Sequence, residues 1–150
     1  MTETNLQEIE AQAIDSPSPW AKNHIDQYLA TDGAAVDHPS AERLILLYTT
    51  GRRSGRIRRT PVVHFPAGDD MLVVASKGGA PTHPAWYLNL VADPQVWIRF
   101  KDEFFPAIAS TLDPDERALE WAKITAMSPG FADYEAKTDR VIPVVRLTAL

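Results

Sequence analysis

At 150 residues without a single cysteine, the chain is long enough to bury one sizeable core and excludes disulfide frameworks, thiolate nucleophiles, zinc ribbons and cysteine-ligated iron–sulfur clusters. Its formal net charge is −5, yet Arg52, Arg53, Arg56, Arg58 and Arg59 fall within eight residues, which leaves ten cations against twenty Asp and Glu elsewhere. So tight a focus of positive charge on an acidic protein points to an anionic ligand there.

Residues 1–17 are polar and acidic, lack an apolar signal-like stretch, and show only a weak spacing at Leu6, Ile9 and Ala13. They are expected to form a flexible or lid-like segment hinged on the SPSP run, ahead of one domain over 18–150. Ser18 and Pro19 read as N-cap and first helical residue, with Trp20, Ile25, Tyr28 and Leu29 as one apolar side and an end near Gly33. A loop, AVDHPSAE, follows.

RLILLYTT and RIRRTPVVHF then read as strands joined by the turn GRRSG, a hairpin with a basic tip. PAGDD turns into MLVVAS, and GGAPTHP opens a short helix through AWYLNLVADP. QVWIRF and EFFPAIAST form a second hairpin on KD. Asp113-Pro114-Asp115-Glu116 starts a helix through Met127, with Leu119, Ala122, Ile124 and Met127 on its apolar face and Trp121 beside it. FADYEAKTDR is a short helix and VIPVVRLTAL the closing strand. Three consecutive strands joined by turns alone exclude a doubly wound parallel sheet, which needs a crossover after each strand. The fold predicted is mainly β with peripheral helices, an α+β chain built on a six-stranded antiparallel barrel.

Three stretches could carry chemistry. In the basic hairpin, Gly51, Ser54 and Gly55 let backbone amides approach a phosphate, arginine suits bidentate anion contacts, and alternation puts Arg56, Arg58 and Thr60 on one face. The alternative is a solvated turn. In residues 76–90, Ser76, Lys77, Gly78 and Gly79 precede a helix bearing Trp86, Tyr87 and Asn89, a lysine and free amides beside a helix start. Alone it reads as a glycine turn with a core tryptophan; with the hairpin it makes an elongated site, charged at one end and aromatic at the other. After Ser128-Pro129-Gly130, Phe131 and Tyr134 share a helix face and could cap a planar ligand or pack on the barrel. His24, His38, His64 and His83 show no metal-ligand spacing, so no metal is expected, and neither a Walker loop, a GxGxxG run nor a catalytic triad is present.

Taken in order, TTGRRSGRIRRTP, VVASKGGAPTHPAWYLNL with ADP following, and FADYEAKTDRVIPVV resemble the deazaflavin-dependent nitroreductase family of actinobacterial oxidoreductases. The resemblance runs from Arg43 to the C-terminus. It implies a split β-barrel that binds coenzyme F420, an 8-hydroxy-5-deazaflavin with a planar ring system and an anionic phosphate and polyglutamate tail. By motif, Arg52, Arg53, Ser54, Arg58 and the backbone of Thr60, Pro61, Val62 and Val63 would hold phosphate and tail. Val74, Ala75, Ser76, Lys77 and Gly78 would continue that cradle, and Ala85, Trp86, Tyr87 and Asn89 would lie along the ring.

The implied reaction is hydride transfer from C5 of the reduced cofactor to an activated double bond, a quinone or a nitro compound. Placement and water exclusion then suffice, with no catalytic side chain required. Trp86, Ser128, Phe131 and Tyr134 would form the acceptor pocket. Nitroimidazole-activating members carry several tyrosines in the late segment, whereas this chain keeps Tyr134 but has Ser128 and Phe131. FMN in a similar barrel is the alternative cofactor. A phosphate-contacting nucleic-acid module is the alternative of another class, disfavoured because the acidic remainder would repel a long polyanion. The chain is expected to be cytoplasmic and able to form a homodimer, with membrane contact limited to peripheral touching by its N-terminal segment.

Overall fold

In the computed structural model, which describes residues 3–150, the chain runs α1 (Glu3–Gln12), β1 (Ile14–Asp15), α2 (Pro19–Thr31), β2 (Leu44–Thr50), β3 (Ile57–Ala67), β4 (Asp70–Val74) and α3 (Ala85–Ala92). It continues β5 (Gln95–Phe100), β6 (Glu103–Thr111), α4 (Pro114–Met127), α5 (Gly130–Ala136) and β7 (Val144–Ala149). Strands pair in the order β3-β2-β5-β6-β7-β4, all antiparallel, and β4 pairs back to β3. The result is a closed six-stranded barrel with helices around it, as the turn-linked strands predicted.

The central strand β2 shows how the sequence fills this frame. Its odd residues Ile45 and Leu47 join Val73, Val96, Ile98, Val145 and Leu147 in the barrel core, while Leu44, Leu46 and Tyr48 join Ile25, Tyr28 and Trp97 in a second core beneath α2. Both faces are thereby buried, which accounts for its near-continuous apolar run. A third core, centred on Phe65, Leu72, Ile124 and Ile142, joins the barrel to the last two helices, with Trp121, Phe131 and Tyr134 packed on it.

One irregularity matters for function. Strand β3 is eleven residues long and meets two successive neighbours on its outer side: β1 pairs parallel with Arg58 and Arg59, and β4 pairs with His64 to Ala67. Between them, Thr60 to Val63 pair only with β2. The barrel is split there. Pro61, which lacks an N–H, is tolerated because this stretch is an open edge.

Several elements differ from the sequence reading. The N-terminal segment is not a loose appendage in the described residues: Leu6, Ile9 and Ala13 pack on the second core. Arg99 donates to both carboxylate oxygens of Glu10 at 3.1 Å and to Asp32 at 2.6 Å. The two-residue β1 had no legible signal; it is fixed by Arg59, whose Nε donates to Asp15 at 2.6 Å. The Tyr48 phenol beside them is pushed up to about 12 by burial and donates to Glu10 Oε2 at 3.3 Å.

On α2 the buried residues are Ala21, His24, Ile25 and Tyr28, while Trp20 is 53% exposed, so the tryptophan lies off the core stripe. Ser18 and Pro19 do start that helix, and Asp32 with φ +50 ends it. On α4, Asp113 caps the Glu116 amide at 2.8 Å as predicted, yet only Ile124 is buried, and Leu119 and Met127 face outward. The true stripe follows Arg117, Trp121 and Ile124, with the Arg117 guanidinium 4.5 Å from the Trp121 ring centre. Helix α5 stops at Ala136, and the last strand starts at Val144 because Pro143 has no N–H to pair.

Candidate functional site

A cleft of about 1280 Å³ opens at the split in the barrel, and its floor is the singly paired stretch Thr60, Pro61, Val62 and Val63 with Val74 from β4. Backbone groups on the outer side of that stretch have no neighbouring strand. They are the natural partners for a polar ring edge, as in any open sheet edge.

The basic turn between β2 and β3 forms one end, with Arg52, Arg53, Ser54 and Arg58 lining the cleft. The turn is closed by Gly51 N–H to Arg56 O and Gly55 N–H to Gly51 O, both 2.8 Å, and Gly55 takes φ +72. Asn89 of α3 anchors it from below: its Oδ1 accepts the Arg52 amide at 3.2 Å and Arg52 Nη1 at 3.0 Å, and its Nδ2 donates to Thr49 Oγ1 at 3.2 Å. Asn89 thus fixes the basic turn and, with it, lines the cleft. Arg56, which alternation grouped with Arg58, is not among the lining residues, and Arg59, held by Asp15, is.

Across the cleft, Ser76, Lys77 and Gly78 form a tight turn in which Lys77, Gly78 and Gly79 all have positive φ. This turn replaces the strand end that the sequence suggested at Ser76. Among the described residues Lys77 Nζ donates only to Thr82 Oγ1, at 3.2 Å, leaving its charge available. Gly79 is required for a second reason. A Cβ there would sit 2.7 Å from the Tyr134 carbonyl oxygen, so the turn can press against α5 only without a side chain.

The residue that clamps this turn is Arg140, which the sequence places only at the end of the last short helix. It donates to Ala80 O at 2.9 Å, Ala75 O at 3.1 Å and Ser76 O at 2.6 Å, and to His83 Nδ1 at 3.1 Å. Burial and that guanidinium hold the His83 imidazole below its usual range. Nothing local in the sequence marks Arg140, because its partners lie about sixty residues away.

Ala85 and Trp86 line the cleft from α3, and Ser128, Gly130, Phe131 and Tyr134 line it from the α4–α5 corner. Phe131 and Tyr134 rings meet edge to face at 5.8 Å, with Phe131 also edge-on to Phe65 at 5.8 Å. Two predicted residues fall outside. Ala75 is fully buried with its carbonyl on Arg140. Tyr87 points about 100° around α3 from Trp86, shares a hydrogen bond with Thr111 at 3.0 Å and packs on His83. A further wall comprises Ser16, Pro17 and Ser18 with Trp20, Ala21, His38, Pro39 and Ser40. Ser16 and Pro17 end the lid-like stretch expected over residues 1–17, whereas the loop after α2, AVDHPSAE, carries no functional signal in the sequence.

Among the described residues no cluster of His, Asp and Glu could hold a metal ion. What the cleft offers is five cations, Arg52 and Arg53 on the basic turn, Arg58 and Arg59 at the start of β3 and Lys77 on the turn after β4, with an open strand edge and aromatic rings.

Comparison with known proteins agrees with this geometry. A family model described as F420H(2)-dependent quinone reductase matches residues 20–149. An F420H(2)-dependent quinone reductase of Mycobacterium tuberculosis is 35% identical over 146 residues, covering 87% of this chain and 97% of that protein. A solved F420-H2 dependent reductase superposes with a TM-score of 0.64 at 38% identity, covering 70% of this chain and 93% of its own. Another structure, described as a domain-swapped dimer, gives 0.66 at 35% identity, covering 88% and 99%. With the split barrel, the paired basic turns and these likenesses in register, the chain belongs to the F420H(2)-dependent quinone reductase family.

Proposed function

We propose that this protein is an oxidoreductase that uses F420H2 to reduce a quinone or a similarly activated acceptor. The observation that carries this reading is the convergence of Arg52, Arg53, Arg58 and Lys77 with Trp86 and the open β3 edge in one cleft. The donor set fits the cofactor: cations suit a phosphate and glutamate tail, the unpaired Thr60–Val63 edge suits the polar rim of a deazaflavin, and Trp86 offers a ring face. When bound, F420H2 supplies a hydride equivalent. The chain's own work is to hold the tail on the two turns, fix the ring against β3, and shield the reacting face from water.

Phe131, Tyr134, Ser128 and Trp86 are assigned to the acceptor. The Tyr134 hydroxyl has no protein partner among the described residues, so Tyr134→Phe is expected to lower kcat if that hydroxyl bonds an oxygen as charge develops, whereas Phe131→Ala is expected chiefly to raise KM. Steady-state oxidation of F420H2 with several quinones checks both. Wild-type kinetics in both variants would make these rings ordinary packing.

The family reading itself is tested by titrating the purified protein with F420, FMN and a short oligonucleotide at two salt concentrations. Saturable F420 binding that weakens at high salt is expected, with neither of the others competing. Tighter binding of FMN would instead assign the cleft to a flavin. A cytoplasmic protein that self-associates is consistent with the cysteine-free chain and with a relative of 35% identity described as a dimer. Among the described residues no helix is long and apolar enough to cross a membrane. A quinone held in a bilayer would be met by peripheral contact near the N-terminal segment, which borders the cleft through Ser16 and Pro17.

A further inference from the structure

The cleft-lining residues of α2 and its flanking segments include no Asp, Glu, Lys or Arg, in contrast to the basic turns that line the same cleft. Among them are Trp20, Ala21, His38 and Pro39. On the reading that the cleft serves F420H2-dependent quinone reduction, we propose that His38 donates a hydrogen bond from Nε2 to a carbonyl oxygen of the quinone, with the Trp20 ring as the apolar backing of that subsite.

Three observations support the assignment. The Ser40 backbone N–H donates to His38 Nδ1 at 2.9 Å. A nitrogen that accepts an amide proton carries none of its own, so the neutral ring has its hydrogen on Nε2. That Nε2 has no protein partner among the described residues, although the side chain is half-buried in the cleft wall. A donor so placed awaits an oxygen.

The wall is also built rather than loose. His24, 6% exposed, sits between the helix start and the loop that bears His38, with Nδ1 2.7 Å from the Trp20 carbonyl oxygen and Nε2 3.2 Å from the Asp37 carbonyl oxygen, one of which a neutral ring reaches as donor. Its ring lies 4.4 Å from Trp20 and 5.5 Å from His38, centre to centre. Trp20, 53% exposed, leaves a large apolar face that no protein group covers fully. A neutral planar molecule with hydrogen-bond acceptors matches such a surface, and a quinone is one.

The chemistry asks His38 for polarisation rather than for a proton. Burial first, and then the neighbouring His24, hold His38 below the usual imidazole range, so at neutral pH it is an uncharged donor. Hydride addition converts the quinone to a hydroquinone monoanion with its charge on oxygen. A donor that meets that oxygen binds it more strongly as the charge grows. A solvent proton, matched by one released as the reduced cofactor is oxidised, completes the hydroquinone.

The test uses menadione as the acceptor. His38→Ala is expected to lower kcat by about 10–100-fold, the range for losing one such donor, with F420 affinity unchanged. His38→Gln, which restores a side-chain N–H, should recover much of the loss. A second readout needs neither variant nor cofactor: in an imidazole nitrogen-correlated NMR spectrum, His38 of the unliganded protein should show the Nε2-protonated form, and menadione should shift that signal but not that of His83.

Wild-type kcat and KM in His38→Ala, or a His38 signal that menadione leaves unmoved, would overturn the proposal. Failure of the wild-type protein to bind F420 or to reduce menadione would instead overturn the family-derived function on which it rests, and the NMR titration distinguishes the two.

Discussion

Replacing Arg58 or Lys77 by alanine is expected to weaken F420 binding by roughly 10–100-fold each, since each removes a charge-assisted contact of about 1.5–3 kcal/mol. Arg58 lies at the start of β3 and Lys77 on the turn after β4, and no contact joins them among the described residues, so the losses should nearly add in the double variant. Lys123, on α4 with its side chain 73% exposed, is the proper control. Arg117, which looks like an outer-helix residue in the sequence, is not: its Nε donates to Ile142 O at 2.9 Å and its guanidinium covers Trp121, so its removal would disturb the fold. Fluorescence titration checks the prediction, and raising the salt should narrow the gap between wild type and variants. Equal affinity in Arg58→Ala, Lys77→Ala and Lys123→Ala would remove the two turns as the anion cradle.

Deleting residues 1–15 is expected to lower stability by roughly 4–6 kcal/mol, which for a chain of this size corresponds to about 10–20 °C in Tm. The deletion strips Leu6, Ile9 and Ala13 from the second core, and it leaves Arg99 and Arg59 without Glu10 and Asp15. Both guanidinium side chains are about five-sixths buried, so neither is readily rehydrated. Thermal unfolding of the truncated chain beside Glu10→Gln separates the apolar from the ionic share. A Tm within a few degrees of wild type would mean that the segment is an accessory cover and that the barrel is complete without it.

Local chemistry explains which features could be read from the chain. The strand runs were legible because short Gly- and Asp-bearing turns punctuate them, and both long helices announced themselves by a capping side chain followed by proline. The basic turn and the Ser76–Gly78 turn, which both line the cleft, stand out in the sequence because charge and glycine sit together there. What could not be read depends on distant partners. Strand β1 is two residues long and exists because Asp15 meets Arg59, and Arg140 matters through carbonyls about sixty positions earlier. Trp20 and His38 become one wall only after His24 bridges the helix start and the loop. The apolar faces of α2 and α4 were misjudged where a large side chain, Trp20 or Met127, was assumed to be buried because it is apolar.

The gap beside Thr60 to Val63 has a thermodynamic consequence. A molecule that hydrogen-bonds to that stretch occupies the position a strand would fill between β1 and β4, and so becomes a temporary part of the sheet. Any such ligand binds the folded chain and not the unfolded one, and its free energy is added to that of folding, by about 2.7 kcal/mol at a hundredfold excess over Kd. Cellular lifetime would then track cofactor supply, with the unloaded protein unfolding and being degraded sooner than the loaded one.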